Sequence, residues 1–314
     1  MLIDPTLYKR IKEKKKRLNS LRPLPQTALS KLKEQFAIEM TYHSNAIEGN
    51  TLTLRETQLV IQEGLTIAGK SLREYLEAIN HKEAIDFLED LVKEKKPITE
   101  ALIRQIHFLI LTKINDREAG KYRSVQVRIT GTNYLPPQSF EVPSLMRDFI
   151  KWLRKNERKI DPIELAAFSH FKLVHIHPFI DGNGRSARLL MNLILVKKGY
   201  PPAIILKADR KKYYRVLDRA HRGNFAPFVN FIARSIERSL NLYLDAFEIR
   251  KTKKEAIRKK YISLAEAARG TPYSQEYLSL LARQGKIDAF KLKRNWLTTK
   301  EAIERYIKSR ERKR

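Results

Sequence analysis

One strip of the chain limits what it can become: HPFIDGNGRSAR, residues 177 to 188. A glycine loop that opens a helix offers unpaired backbone N–H groups to an anion. Arg185 and Arg188 stand three residues apart, so both leave one helix face toward whatever the loop holds. Asp181 can hold a divalent cation, and Mg²⁺ normally bridges one or two carboxylates to substrate phosphates. His177, just upstream, has the chemistry of a general base. Together these are the parts needed to hold a nucleoside triphosphate and to direct a nucleophile at it.

The rest of the chain sets the frame around that strip. Its 314 residues allow two or three domains, and 42% hydrophobic content supports a sizeable core. There is no cysteine, which excludes a disulfide framework and cysteine-based zinc or redox chemistry. The start, MLIDPTLYKRIKEKKKR, lacks an apolar signal core, and the apolar stretch from Leu189 to Val196 is interrupted by Asn192. A soluble, cytoplasmic protein without a membrane partner is expected. The net charge of +28 calls for an anionic partner, nucleic acid or nucleotide. Residues 250 to 314 carry 20 Lys and Arg against 7 Asp and Glu, whereas the N-terminal KEKKKR run reads as a solvated face.

Periodicity predicts a mainly α fold. Residues 7 to 20 read as a charged helix, followed by a proline break at LRPLPQ. A helix from about Thr27 places Leu29, Leu32, Phe36 and Met40 on one stripe and stops at Gly49 and Asn50. Thr53 begins a capping-box pattern, and longer helices run from Leu72 to about Lys93 and on from Pro97. Residues 121 to 142 alternate and then turn, which predicts an inserted β-hairpin. Helices return at 143–156, 162–174, 184–199, 211–222 and 227 to about 254.

These features resemble the Fic family. Its central signature, HPFx(D/E)GNGRxxR, is met here by His177, Pro178, Phe179, Asp181, Gly182, Asn183, Gly184, Arg185 and Arg188. The resemblance covers about residues 30 to 245. It implies a helical fold with a β-hairpin flap, and most often transfer of AMP from ATP to a protein hydroxyl. His177 would take the proton of a target Ser, Thr or Tyr, and Asp181 would bind Mg²⁺ across the α- and β-phosphates. Gly182, Asn183 and Gly184 would cradle phosphate oxygens, with Arg185 at the β- and Arg188 at the γ-phosphate. Phe179 would anchor the loop in the core. Members that phosphorylate a target instead carry lysine at the place of Gly184, so glycine favours nucleotidyl transfer. Ile129, Thr130, Gly131 and Thr132 begin the flap, which would dock a target segment as an added strand. Tyr213 and Tyr214 match the pair that closes over adenosine, while His221 departs from the asparagine that relatives often place there. His170 and His175 read as helix and core residues, not as a metal cluster.

The same resemblance implies a brake. Ser44, Glu48 and Gly49 in SNAIEGN fit the inhibitory pattern (S/T)xxxE(G/N), a weak motif alone and common on helix surfaces. Glu48 would pair with Arg188 and deny ATP its productive pose. In some relatives the same glutamate aligns a water and supports removal of AMP, and relatives often self-associate, which would make a homodimer.

From Tyr261 the chain reads as a helix, a Gly270–Thr271–Pro272 turn, a second helix from Ser274 to Gln284 and a β-wing. This resembles excisionase-like and MerR-like winged helix-turn-helix domains. Ala267, Ala268, Leu280, Leu281 and Trp296 suit core positions. Tyr273, Ser274, Gln275, Tyr277, Arg283, Lys291, Lys293 and Arg294 would contact DNA. The domains are then residues 1–95 with the inhibitory helix at about 30–49, a catalytic core at 96–249, a basic linker at 250–260 and the winged helix-turn-helix at 261–314. Two readings follow: an autoinhibited protein adenylyltransferase with a DNA-binding appendix, or a DNA-binding transcription regulator whose core senses nucleotide.

Overall fold

In a computed structural model the chain divides into two compact units, Met1–Asp245 and Ala246–Arg314. Residues 1–129, 132, 134–292 and 295–311 are described, with side chains except at 248–260, 292 and 311.

The first unit is helical: α1 (Pro5–Ser20), α2 (Gln26–Ile47), α3 (Leu54–Glu63), α4 (Leu72–Lys93), α5 (Glu100–Leu111), α6 (Val142–Asn156), α7 (Pro162–Ile176), α8 (Asn183–Lys197), α9 (Arg210–His221) and the start of α10 (Ala226–Lys260). Local chemistry sets the boundaries. Thr53 and Ser71 each close a reciprocal capping box, with Glu56 and Glu74 respectively. Asp161 caps α7 with Pro162 at its first position, and α2 ends at Ile47 before Gly49 at φ 108°. The expected stripe on α2 is inward, with Leu32, Phe36 and Met40 buried.

Helix α8 explains why the site is rigid. Every residue from Arg185 to Leu195 is buried, so the helix is enclosed on all sides, as a central helix must be. α2, α4, α5 and α7 all pack on it. Leu189, Leu190, Leu193 and Leu195 are fully buried and pin the helix whose first turn carries the glycine loop.

The β-hairpin expected at 121–142 is not found among the described residues, which form no strand there and lead into a 3-10 turn at Ser139–Glu141. The cause is chemical. Pro136 and Pro137 supply no N–H for a ladder. Side chains bridge the two arms in its place: Gln126 Nε2 donates to Pro136 O at 3.0 Å and Ser139 Oγ to Ser124 O at 3.1 Å. The buried Arg123 guanidinium donates to the carbonyls of Val125, Pro137 and His177. Thr130 and Gly131 lie outside the described residues, while Ile129 and Thr132 are half-buried.

The second unit holds a three-stranded antiparallel sheet, ordered β1–β3–β2, from β1 (Ile262–Ser263), β2 (Ala289–Leu292) and β3 (Asn295–Thr298). The unit also holds α11 (Leu264–Arg269), α12 (Gln275–Arg283) and α13 (Lys300–Glu311). Its core is Leu264, Ala267, Leu278, Leu281, Ala282, Ile287 and Ile303, with Ala268 and Trp296 packed against it. Leu280, expected in that core, is 47% exposed. Leu278, Leu281 and Ala282 follow helical spacing, which turns position 280 outward. The basic segment at 250–260, read as a linker or helix extension, continues α10, which runs past the predicted end near 254. Among the described residues no helix is long and apolar enough to cross a membrane.

All seven histidines titrate below their ordinary value, in each case because burial disfavours the charged ring. His81 and His170 are lowered to about 3 and His107 to about 4, and all three are fully enclosed. The folded chain keeps these rings neutral, whereas the unfolded chain takes up protons below about pH 6.5. Stability is therefore full above that pH and is lost as pH falls toward the folded values. Each of the three costs up to about 1.4 kcal/mol per pH unit in that window. The unfolding midpoint should drop by at least about 10 °C between pH 7 and pH 5. A midpoint constant over that range would show that these rings are not buried neutral.

Candidate active site

A cleft of about 930 Å³ opens between the α7–α8 loop, α9 and the segment around Ile129. His177, Asp181, Gly182, Asn183, Gly184, Tyr213, Tyr214 and His221 line it, and so does Glu48.

His177 ends α7. Pro178 cannot continue the helix, and His177 adopts φ 50° and ψ 57°, a left-handed conformation uncommon for a residue with a side chain. Two bonds hold it there: its N–H donates to Leu173 O at 2.9 Å, and its carbonyl accepts from Arg123 Nε at 2.9 Å. Burial, reinforced by the Arg123 charge, lowers its imidazole to about 4. The ring is thus neutral at pH 7, the state a proton acceptor requires.

The loop is braced from beneath. Phe179 is fully buried and stacks on the His107 ring at 3.6 Å between centroids, 3° from parallel. Gly120 N–H donates to His107 Nδ1 at 3.0 Å, so Nε2 carries the proton and donates to Asp181 O at 2.9 Å. Gly182 takes φ 75°, and a Cβ there would lie 3.2 Å from the His107 ring. Asn183 differs from expectation. Both ends of its amide bond the backbone of Phe179, at 3.0 and 2.7 Å, so the side chain braces the loop and is not free for phosphate.

The charged groups form two clusters. Burial alone would raise the Asp181 carboxyl, but Arg185, the Gly182 N–H and Arg73 outweigh it and hold the group below the usual carboxylate range. Arg185, at 2% side-chain exposure, lies 3.3 Å from Glu77 and 3.3 Å from Asp181, and in this arrangement faces them and not the cleft. Arg188 carries the second cluster. Its Nε donates to Ser44 Oγ at 2.9 Å, and its Nη2 to Ser44 O at 2.9 Å and Glu48 Oε1 at 2.7 Å. Burial opposes its charge, but Glu48 raises the guanidinium above its ordinary value. Glu48 stands at the cleft wall with Arg188 behind it. Gly184 makes room for this, since a Cβ there would collide with Glu48 Oε1 and reach 3.0 Å from Arg188 Nη1.

Of the two tyrosines, Tyr213 is buried with its hydroxyl on His170 Nε2 at 2.9 Å, so it packs beneath the cleft, while Tyr214 stays at the rim. His175 packs beside His221, their Nδ1 atoms 3.2 Å apart, and Tyr134 stacks on His221 at 3.7 Å. Among the described residues no three His, Cys, Asp or Glu side chains cluster to hold a metal. A cation that takes most of its ligands from water and phosphate, as Mg²⁺ does, needs only one or two protein carboxylates, and Asp181 stands on the cleft.

Sequence reasoning missed Arg73, Glu77, His107 and Arg123. None belongs to a local motif, and each acts across 54 or more positions, as the Arg123–His177 and Arg73–Asp181 contacts do.

Residues 97–195 match the Fic/DOC family. The solved Fic-1 (residues 134–508) of C. elegans is 36% identical over 78% of this chain and 74% of its own, with a TM-score of 0.71. A Fic-domain signaling protein from Bacteroides thetaiotaomicron is 32% identical over 76% of this chain and 98% of its own, with a TM-score of 0.72. This chain belongs to the Fic/DOC family. Among curated Fic relatives, the protein adenylyltransferase Fic of Nematostella vectensis is 40% identical over 77% of the chain. That of Drosophila persimilis is 40% identical over 69%. The chain spans about half the length of these two Fic proteins, 56% and 43% respectively. A Fic family protein from Desulfovibrio desulfuricans G20 covers 95% of the chain at 25% identity, with a TM-score of 0.63.

Proposed function

We propose that this chain transfers AMP from ATP to a hydroxyl side chain of a target protein, under an intramolecular brake. The observation that carries this reading is Glu48 at the cleft wall, bonded to Arg188, with the neutral His177 on the same cleft. A target hydroxyl gives its proton to His177, the oxygen attacks the α-phosphate in line, and pyrophosphate leaves. Asp181 would hold Mg²⁺, which supplies charge neutralisation on the phosphates when bound. The first N–H groups of α8 face the anion, and Arg188, once released, receives the γ-phosphate. The segment around Ile129 and Thr132 is read as the target-docking flap. Relatives named protein adenylyltransferase support this chemistry. The test uses Glu48→Gly with ATP labelled on either the α- or the γ-phosphate, in Mg²⁺. Protein-bound label from the α position alone supports AMP transfer. Label from the γ position would mean kinase chemistry instead.

The second unit is read as a DNA-binding appendix. Ser274 caps α12 by accepting from Tyr277 N–H, which leaves Gln275 and Arg283 exposed on that helix and Lys291 exposed on β2. Tyr273 and Tyr277, also expected at the DNA, are half-buried against the unit's core, and the Tyr277 hydroxyl lies 3.2 Å from that of Tyr306. Lys293 and Arg294 lie outside the described residues. Arg283→Ala with Lys291→Ala should weaken duplex binding roughly tenfold and flatten its salt dependence by about two counterions. Unchanged affinity and slope would remove this surface as the DNA contact.

A further inference from the structure

Both carboxylate oxygens of Asp181 are engaged, but by partners of different kinds. Oδ1 accepts from the Gly182 N–H at 2.6 Å and faces Arg185 Nη2 at 3.3 Å, contacts internal to the loop and the first turn of α8. Oδ2 accepts from Arg73 Nη2 at 2.6 Å, and Arg73 belongs to α4. The Arg73 side chain is 59% exposed, so it has room to swing. Its Nε is mounted on Glu77 Oε1 at 3.2 Å. Glu77 in turn is buried, with Asn50 Nδ2 on its other oxygen at 2.9 Å.

A divalent cation on Asp181 needs an outward lone pair, and Mg²⁺ demands near-octahedral geometry at about 2.0–2.1 Å. The guanidinium lies on Oδ2, and its charge opposes an incoming dication. We propose that Arg73 is a positioning residue that guards the metal seat: it keeps Asp181 aimed and charge-compensated at rest and yields Oδ2 when a divalent cation binds. This rests on the reading of Asp181 as the metal ligand. The two ends of the polyphosphate seat are then closed alike by the N-terminal helices. Glu48, the C-cap of α2, covers Arg188, and Arg73 of α4 covers Asp181. Asn50, two residues past Glu48, bonds the Glu77 that mounts Arg73, so the two closures share a support.

The Arg73–Asp181 pair is more than one-third exposed on both sides, so the effect is modest, about two- to fivefold in cation affinity. The test titrates Mn²⁺ into the full chain carrying Glu48→Gly, with a non-hydrolysable ATP analogue present. Water-proton relaxation enhancement reads the protein-bound Mn²⁺, independently of turnover. Arg73→Gln should tighten Mn²⁺ by that factor, Arg73→Lys should stay near the parent, and Asp181→Asn should weaken it. Weakening by Asp181→Asn with Arg73→Gln equal to or weaker than the parent overturns the guard while leaving the ligand in place. If Asp181→Asn changes nothing, the assignment of the metal ligand falls, and the guard with it.

Discussion

Replacing Glu48 with glycine should raise ATP affinity, and with it label transfer, by roughly ten- to hundredfold. The bond to be broken is a charge-assisted contact of 2.7 Å onto a guanidinium whose side chain is 5% exposed. Hydrogen bonds to charged groups contribute about 1.5–3 kcal/mol net, and 1.4 kcal/mol is a factor of ten in affinity. The carboxylate belongs to the same chain, so under the proposed brake it would compete with ATP at high effective concentration. Its removal does not loosen the arginine, because Ser44 holds Nε through its hydroxyl and Nη2 through its carbonyl. The freed Nη2 is thus already aimed where a γ-phosphate would sit. Calorimetry with a non-hydrolysable analogue measures the gain. Equal affinity in the parent and Glu48→Gly chains would remove the brake.

In the Glu48→Gly background, His177→Ala should lower transfer by about 10²–10⁴-fold, the range a positioned base contributes, with nucleotide affinity retained. His177 is anchored by backbone bonds to Leu173 and Arg123, which the alanine keeps, so the loop geometry survives. The pH profile gives an independent readout. Only the neutral ring accepts a proton, and burial lowers it from 6.5 to about 4, so kcat/KM should stay level from pH 8 to about 5 and fall on the acid side below that. An acid limb centred at the ordinary histidine value would place the base in solvent.

Much of this site was legible because its parts are local. The strip from His177 to Arg188 is one helix end, one turn and one helix start, so His177, Asp181 and the glycine turn came out on one cleft as read, while Arg185 turned to Glu77 and Asp181. The bounds read for α4, Leu72 to about Lys93, are those of the fold, while the Ser71–Glu74 capping box that starts it was not read. The contact of Glu48 with Arg188, 140 positions apart, was reachable only through the family resemblance, and the hold of Ser44 on the same arginine was not read at all. What was not legible depends on packing. Alternation at 121–130 looks the same whether a partner strand exists or a buried arginine collects the carbonyls. Asn183 beside two glycines reads as a phosphate ligand until the N–H and carbonyl of Phe179 are found to need it. Tyr213 and Tyr214 are adjacent, and their spacing does not tell which turns inward; in the fold Tyr213 does, onto His170 and Phe231. Arg73 and Glu77 carry no motif, since an Arg and a Glu four apart on a helix usually form a solvated surface pair.

The most direct test of the central claim is the structure of the Glu48→Gly chain with Mg²⁺ and a non-hydrolysable ATP analogue. The γ-phosphate should rest against Arg188 and the α-phosphate beside His177, with Ser44 still holding the guanidinium from behind. A triphosphate seated elsewhere, with its α-phosphate out of reach of the imidazole, would contradict the account.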